Sequence, residues 1–179
     1  MRASDSYFGR VQGNGGDWFE LVVITDHLDM RNWQLDIYND GAFSETLTLT
    51  DHTIFSDLRS GTIITVSELL PSDINYNPAA GDWWINAQVN TKDGDGLYIT
   101  QSNFAVTKKD WQLEIRDAGG ISKLGPAGEG VSPTEGIGDK ETFRLEETPD
   151  ATITAGSIDY DNGKELSTFG AANKWGSQR

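Results

Sequence analysis

Gly16-Asp17-Trp18-Phe19-Glu20-Leu21, followed by Leu28-Asp29-Met30-Arg31-Asn32-Trp33-Gln34-Leu35, decides the fold of this chain. Both segments read as short strands of one β-sandwich, with aromatic and aliphatic residues interleaved with polar ones at the period of two that a strand requires. Working outward, the same alternation, rich in β-branched and aromatic residues, marks Phe19 to Thr25, Trp33 to Tyr38, Glu45 to Leu49, Thr62 to Glu68, Trp83 to Asn90, Trp111 to Arg116 and Thr142 to Leu145. No comparable stretch has helical period. Asn39-Asp40-Gly41, Asp93-Gly94-Asp95-Gly96 and Ala118-Gly119-Gly120 supply the residues that tolerate positive φ in tight turns. Short strands punctuated in this way predict an all-β sandwich.

Asn32-Trp33-Gln34-Leu35-Asp36-Ile37 returns as Asp110-Trp111-Gln112-Leu113-Glu114-Ile115. Alternation sends Trp, Leu and Ile to one face and Gln and the acid to the other, so core tryptophans and solvated carboxylates are expected. Trp18, Trp33 and Trp111 are expected as pillars between two sheets. Gly119 to Gly138, rich in Gly, Pro and Ser, reads as a long irregular loop, and the tail from Glu146 onward reads as turn-like. The organisation expected is a single domain over 1–179, with its core in 8–118 and 140–175 and a Gly/Pro loop at 119–138.

The opening strands resemble those of a lamin tail domain, the immunoglobulin-like module of nuclear lamins that recurs in secreted and surface proteins of bacteria and archaea. Asp17, Trp18, Phe19, Glu20 and Leu21 match the acidic-aromatic-acidic-Leu end of that family's first strand. Leu28, Asp29, Met30, Arg31, Asn32, Trp33 and Leu35 resemble its next signature, with Asn32 in place of a glycine; Asn is the natural substitute at a left-handed position. Leu47 to Thr50 and Leu58 to Val66 resemble the elements that follow. Thr168-Phe169-Gly170-Ala171-Ala172-Asn173 is similar to a closing Thr-Pro-Gly-x-x-Asn element. The resemblance implies an immunoglobulin-like β-sandwich with long loop insertions and an irregular C-terminal tail. It further implies an accessory or interaction module with no common catalytic residues.

The chain has 179 residues, 28 acidic and 14 basic, for a formal charge of −14. Such a balance repels phosphate backbones and anionic membranes, so nucleic acid and membrane insertion are not expected. Cysteine is absent, which removes disulfides, thiolate nucleophiles and zinc-cysteine sites without naming a compartment. The start Met1 to Ser6 has no apolar run, so either the protein is intracellular or a leader has been removed; the resemblance implies the second, a secreted or cell-surface protein.

For chemistry, His27 and His52 are the only histidines, each beside an aspartate, and neither lies in a catalytic motif. Calcium is the expected ion if one binds: Asp93 and Asp95, and again Asp159 and Asp161, place carboxylates at alternate positions of glycine-bearing segments. Neither is an EF-hand, since Leu97 and Gly163 stand where a fifth-position ligand is needed. Trp83 and Trp84 are adjacent, so in a strand one must point away from the core; with Tyr76 and Tyr98 they form a candidate ligand platform. The function expected is non-enzymatic: an extracellular or surface module that binds a protein partner or self-associates, an unpaired strand edge being an attractive means. The alternatives are a carbohydrate-binding module stacking sugars on those aromatics, and a hydrolase with a carboxylate pair hidden from sequence reading.

Overall fold

The computed structural model describes residues 17–68, 70–89, 96–100, 104–106 and 111–128, together with the backbone of 142–145 and 160–163. Among them are nine strands and no α-helix: β1 (Trp18–Val22), β2 (Gln34–Asn39), β3 (Ala42–Thr48), β4 (Ile63–Ser67), β5 (Trp84–Gln88), β6 (Gln112–Arg116), β7 (Ser122–Gly128), β8 (Thr142–Leu145) and β9 (Tyr160–Gly163). They form a three-stranded sheet in the order β1-β4-β5, a four-stranded sheet in the order β3-β2-β6-β7, and a separate β8-β9 ladder. The protein is therefore all-β.

Alternation builds one core between the two larger sheets. Phe19, Ile64, Val66, Ile85 and Ala87 from the first join Leu35, Ile37, Leu47, Leu113 and Ile115 from the second in a single buried cluster. Phe19 crosses between the layers, its ring edge-on to Phe104 at 5.4 Å and 5.8 Å from Trp111. Trp111 donates its indole N–H to the Ala105 carbonyl at 2.9 Å, so the largest side chain of this cluster has its one polar group satisfied. Trp33 packs partly buried against the cluster. Trp18 corrects the expectation of three pillars: it is buried, but lies on the face of β1 opposite Phe19 and outside the inter-sheet cluster.

The turns follow their chemistry. β2 and β3 are joined through Asp40 (φ 52°) and Gly41 (φ 73°), the two positive torsions of a tight hairpin, and Asn32 adopts φ 61°, the left-handed state. The repeated Trp-Gln-Leu-acid-Ile segments become β2 and β6 and pair with each other antiparallel, Leu35 opposite Ile115, Asp36 opposite Glu114 and Ile37 opposite Leu113.

Two parts of the expected organisation are corrected. Within the expected 119–138 loop, Ser122–Gly128 is an edge strand on β6. Gly and Pro hide its β signal, yet each has its place: Pro126 is tolerated on an edge, and Gly125 stands at φ 103°, where a Cβ would collide with the Leu113 carbonyl. In the expected irregular tail, Tyr160–Gly163 pairs antiparallel with β8. The strand pairing also contains one parallel pair, β4 with β5, unlike the purely antiparallel sheets of the immunoglobulin plan.

Candidate functional site

The parallel pair dictates where a site can form. Neighbouring parallel strands need a connection that travels the length of the sheet, and because the inner face of β4 and β5 is packed in the core, the chain after Ser67 crosses the outer face instead. Asp73 forms an isolated bridge with Asn86, exchanging backbone hydrogen bonds of 2.9 and 2.8 Å. That bridge lies in the plane of the sheet along the edge of β5, while the preceding Leu70 and Pro71, whose carbonyls accept from the Asn86 side chain, lie over the outer face, where Thr65, Ser67 and Asn86 are fully buried polar residues.

Each of these buried side chains is hydrogen-bonded, as burial requires. Asn86 Oδ1 accepts from Thr65 Oγ1 (2.7 Å) and Ser67 Oγ (3.0 Å), while its Nδ2 donates to the carbonyls of Leu70 (3.1 Å) and Pro71 (2.9 Å). Its amide thus has two acceptor and two donor contacts. Trp84 donates its indole N–H to Thr65 Oγ1 at 3.0 Å and is only 5% exposed. The result is a polar clamp that holds the 70–73 segment against the sheet.

Beside this clamp runs a shallow groove of about 390 Å³, lined by Leu70, Pro71, Ser72, Asp73, Ile74, Asn75 and Trp84. Register places Val22, Ile63 and Trp84 in one row across the three strands, and Val22, at the open end, is 41% exposed. Trp83 points the other way from Trp84, as adjacency in a strand demands, and stays 39% exposed with its ring over Gly61, where a Cβ would sit 3.8 Å from the indole.

The expected aromatic platform is only partly assembled. Trp83, Trp84 and Tyr76 gather at one end of the three-stranded sheet. Tyr76 has its hydroxyl engaged, accepting from the Arg59 N–H at 2.9 Å and sharing a 2.8 Å hydrogen bond with Thr62 Oγ1. Tyr98 does not belong there: it is buried edge-on to His52 at 5.0 Å, in the segment that pairs with Leu49. Trp84 is too enclosed to offer a stacking face, which leaves Trp83 as the exposed ring of the expected set. His52 accepts from the Ile54 N–H at 3.1 Å and caps the short 3-10 turn Thr53–Phe55. His27 lies on the surface, 2.7 Å from Asp57 and 3.5 Å from Asp26. Asp93, Asp95 and Asp159 lie outside the described residues; Asp161 stands in β9, opposite Arg144 in register, rather than in a loop. Among the described residues no group of three or more His, Asp or Glu is placed to hold a metal ion, and no helix is long and apolar enough to cross a membrane.

A carboxylate pair does emerge on the outer face of the four-stranded sheet, and it corrects the expectation of solvated acids. Asp36 and Glu114, facing one another in β2 and β6, are 7% and 6% exposed. Arg116 reaches both at 2.8 Å, the Tyr38 hydroxyl donates to Glu114 Oε2 at 2.9 Å, and Thr46 Oγ1 donates to Asp36. Burial opposes the charge on Glu114, but hydrogen bonds from Ser122, Tyr38 and Arg116 outweigh it and hold the carboxyl below its ordinary range. A general acid needs the opposite shift. This geometry is that of a hydrogen-bonded ion cluster rather than of an acid-base pair awaiting a substrate.

Three of the four outer strands of the two larger sheets, β3, β5 and β7, carry a feature that opposes further pairing. Beyond Asn86, β5 is capped at Gln88, whose N–H donates to Ser72 Oγ at 3.0 Å. The end of β3 is covered by 98–100 through Thr50 N–H to Tyr98 and Thr100 N–H to Thr48, both 3.0 Å, and a bulge leaves Ser44 unmatched between the Glu45 and Phe43 pairs. β7 carries Pro126. Bulges, proline and covering chain are means by which edge strands avoid further pairing. No family model, no curated protein and no solved structure matches this chain.

Proposed function

We propose that this protein is a non-enzymatic interaction module of lamin-tail, immunoglobulin-like type, secreted or held at a cell surface, which binds a protein partner at the groove beside Trp84. The groove is the observation that carries the reading. Its wall is apolar at Leu70, Pro71 and Ile74, and the carbonyls of Leu70 and Pro71 are held by the buried Asn86 side chain beside it, so the wall is preorganised, which lowers the ordering cost of binding. The family resemblance supports the module type and the extracellular placement. The features on β3, β5 and β7 oppose strand addition at those three edges. Calcium has no part in this reading.

Selection of a random displayed-peptide library on the immobilised protein tests it. Recovered clones are expected to lose binding to Ile74→Arg and to keep it for Phe43→Asp, on the other sheet. Clones indifferent to Ile74→Arg but sensitive to Phe43→Asp would move the site elsewhere and end this proposal.

The half-exposed Trp83 favours a second reading, in which its indole stacks on a sugar ring. Retention on insoluble polysaccharides that disappears in Trp83→Ala supports it, and absence of retention on all of them removes it.

A further inference from the structure

The charge around the groove specifies its occupant. From Ser60 to Thr91 the chain holds three acids, Glu68, Asp73 and Asp82, and no lysine or arginine. This stretch supplies β4, β5 and the segment that crosses them, and therefore every residue lining the groove. The third strand of the sheet, β1, adds Glu20 and no base. At the nearest turn Arg59 is held by Asp26, donating to both of its carboxylate oxygens. The four-stranded sheet differs, mixing Asp36, Glu45 and Glu114 with Arg116 and Lys123. The strands of the sheet that carries the groove thus contain acids and no lysine or arginine.

We infer that the groove takes an extended, basic segment of a partner protein, with apolar side chains against Pro71, Ile74 and Trp84 and lysine or arginine beside Asp73. Complementary charge both steers encounter and rejects wrong partners. A second copy of this chain is a poor occupant, because each copy brings a charge of −14 and the same acidic surround. Nucleic acid is repelled by the same field. Asp73 is suited to the role: its backbone is bridged to Asn86, so its position is set, while its carboxylate accepts only the Asn75 N–H at 3.1 Å and has no ion-pair partner among the described residues.

The inference rests on the groove being the binding site, and the experiment separates the two. Fluorescein-labelled octapeptides with the repeats Lys-Val-Lys-Leu, Ser-Val-Ser-Leu and Glu-Val-Glu-Leu are titrated with the full chain by anisotropy at low and high salt. The lysine peptide is expected to bind about tenfold or more tighter than the serine peptide and to weaken with salt. Asp73→Asn and Ile74→Arg are expected to weaken it about fivefold or more, whereas Asp40→Asn, an equal charge change in the β2–β3 turn, leaves it unaltered. Equal loss in Asp40→Asn and Asp73→Asn would reduce the effect to diffuse attraction and overturn the inference. Equal binding of the serine peptide, lost in Ile74→Arg, would overturn the basic occupant while leaving the groove as the site. Binding of every peptide insensitive to Ile74→Arg, or no binding of any, would overturn both. Asp73→Asn preserves the backbone bridge and keeps the test open should Ile74→Arg fail to fold.

Discussion

Arg116 pairs with two carboxylates that water barely reaches, and at the scale of single residues it is the charge whose loss should hurt most. Removing one member of a buried ion cluster strands the others. Arg116→Met, which keeps much of the stem, is expected to cost about 3–5 kcal/mol at pH 7 by urea unfolding. Glu114 titrates below its ordinary value of 4.5 in the folded protein, so its contribution is complete above that value. It declines as pH falls, because the unfolded chain takes up the proton first, and it is gone below the folded value. Wild-type stability should therefore fall on acidification through this window, while Arg116→Met, relieved of carboxylate repulsion by protonation, converges on it. Unfolding curves from pH 7 to pH 3 test this, and a constant gap would refute it. The adjacent tryptophans give a second contrast. Trp84→Ala empties a buried site and breaks the Thr65 hydrogen bond, at a cost of about 3–5 kcal/mol, whereas Trp83→Ala is expected to cost about 1 kcal/mol or less. Equal losses would show that Trp83 is held as firmly as Trp84.

At the scale of elements, seven of the nine strands were legible from alternation, and the two that were not explain themselves. β7 contains Gly125 and Pro126 and lies on an edge, where neither residue has to read as β. β9 was concealed among Asp, Asn and Gly, which usually signal a turn. Composition reports intrinsic preference, and pairing with β6 or β8 overrides it. Gly125→Ala tests the β7 assignment: the new Cβ would press on the Leu113 carbonyl at a backbone torsion that suits glycine. A loss of about 2–5 kcal/mol is expected, with faster hydrogen exchange along β6. Unchanged exchange at Leu113 and Ile115 would mean that β7 does not pair there. The candidate site was half legible in the same way. Adjacency alone gave opposite directions for Trp83 and Trp84 but not which is buried: Trp84 lies outside the inter-sheet core, on the outer face of its sheet, and is buried there by the crossing segment. The groove was not legible, because it exists only where the chain from Leu70 to Asn75 passes from the outer face to the edge of β5.

For the whole molecule, a charge of −14 means self-repulsion in the compact state. Raising NaCl from low to moderate concentration should raise the urea midpoint by screening that repulsion. A falling midpoint would show that attractive pairs such as Arg59 with Asp26 dominate instead. The all-β class, the main strands and the hairpin at Asp40-Gly41 were determined by sequence alone, because each depends on contacts within a few residues: side-chain alternation, β-branching, tolerance of positive φ. The pairing of the twin Trp-Gln-Leu-acid-Ile strands, the burial of Asp36 and Glu114 under Arg116, and the drying of Asn86 beneath its crossing segment were decided only by the tertiary structure. Each joins residues far apart in the chain, and whether a polar side chain meets water or another polar group depends on what the fold lays over it.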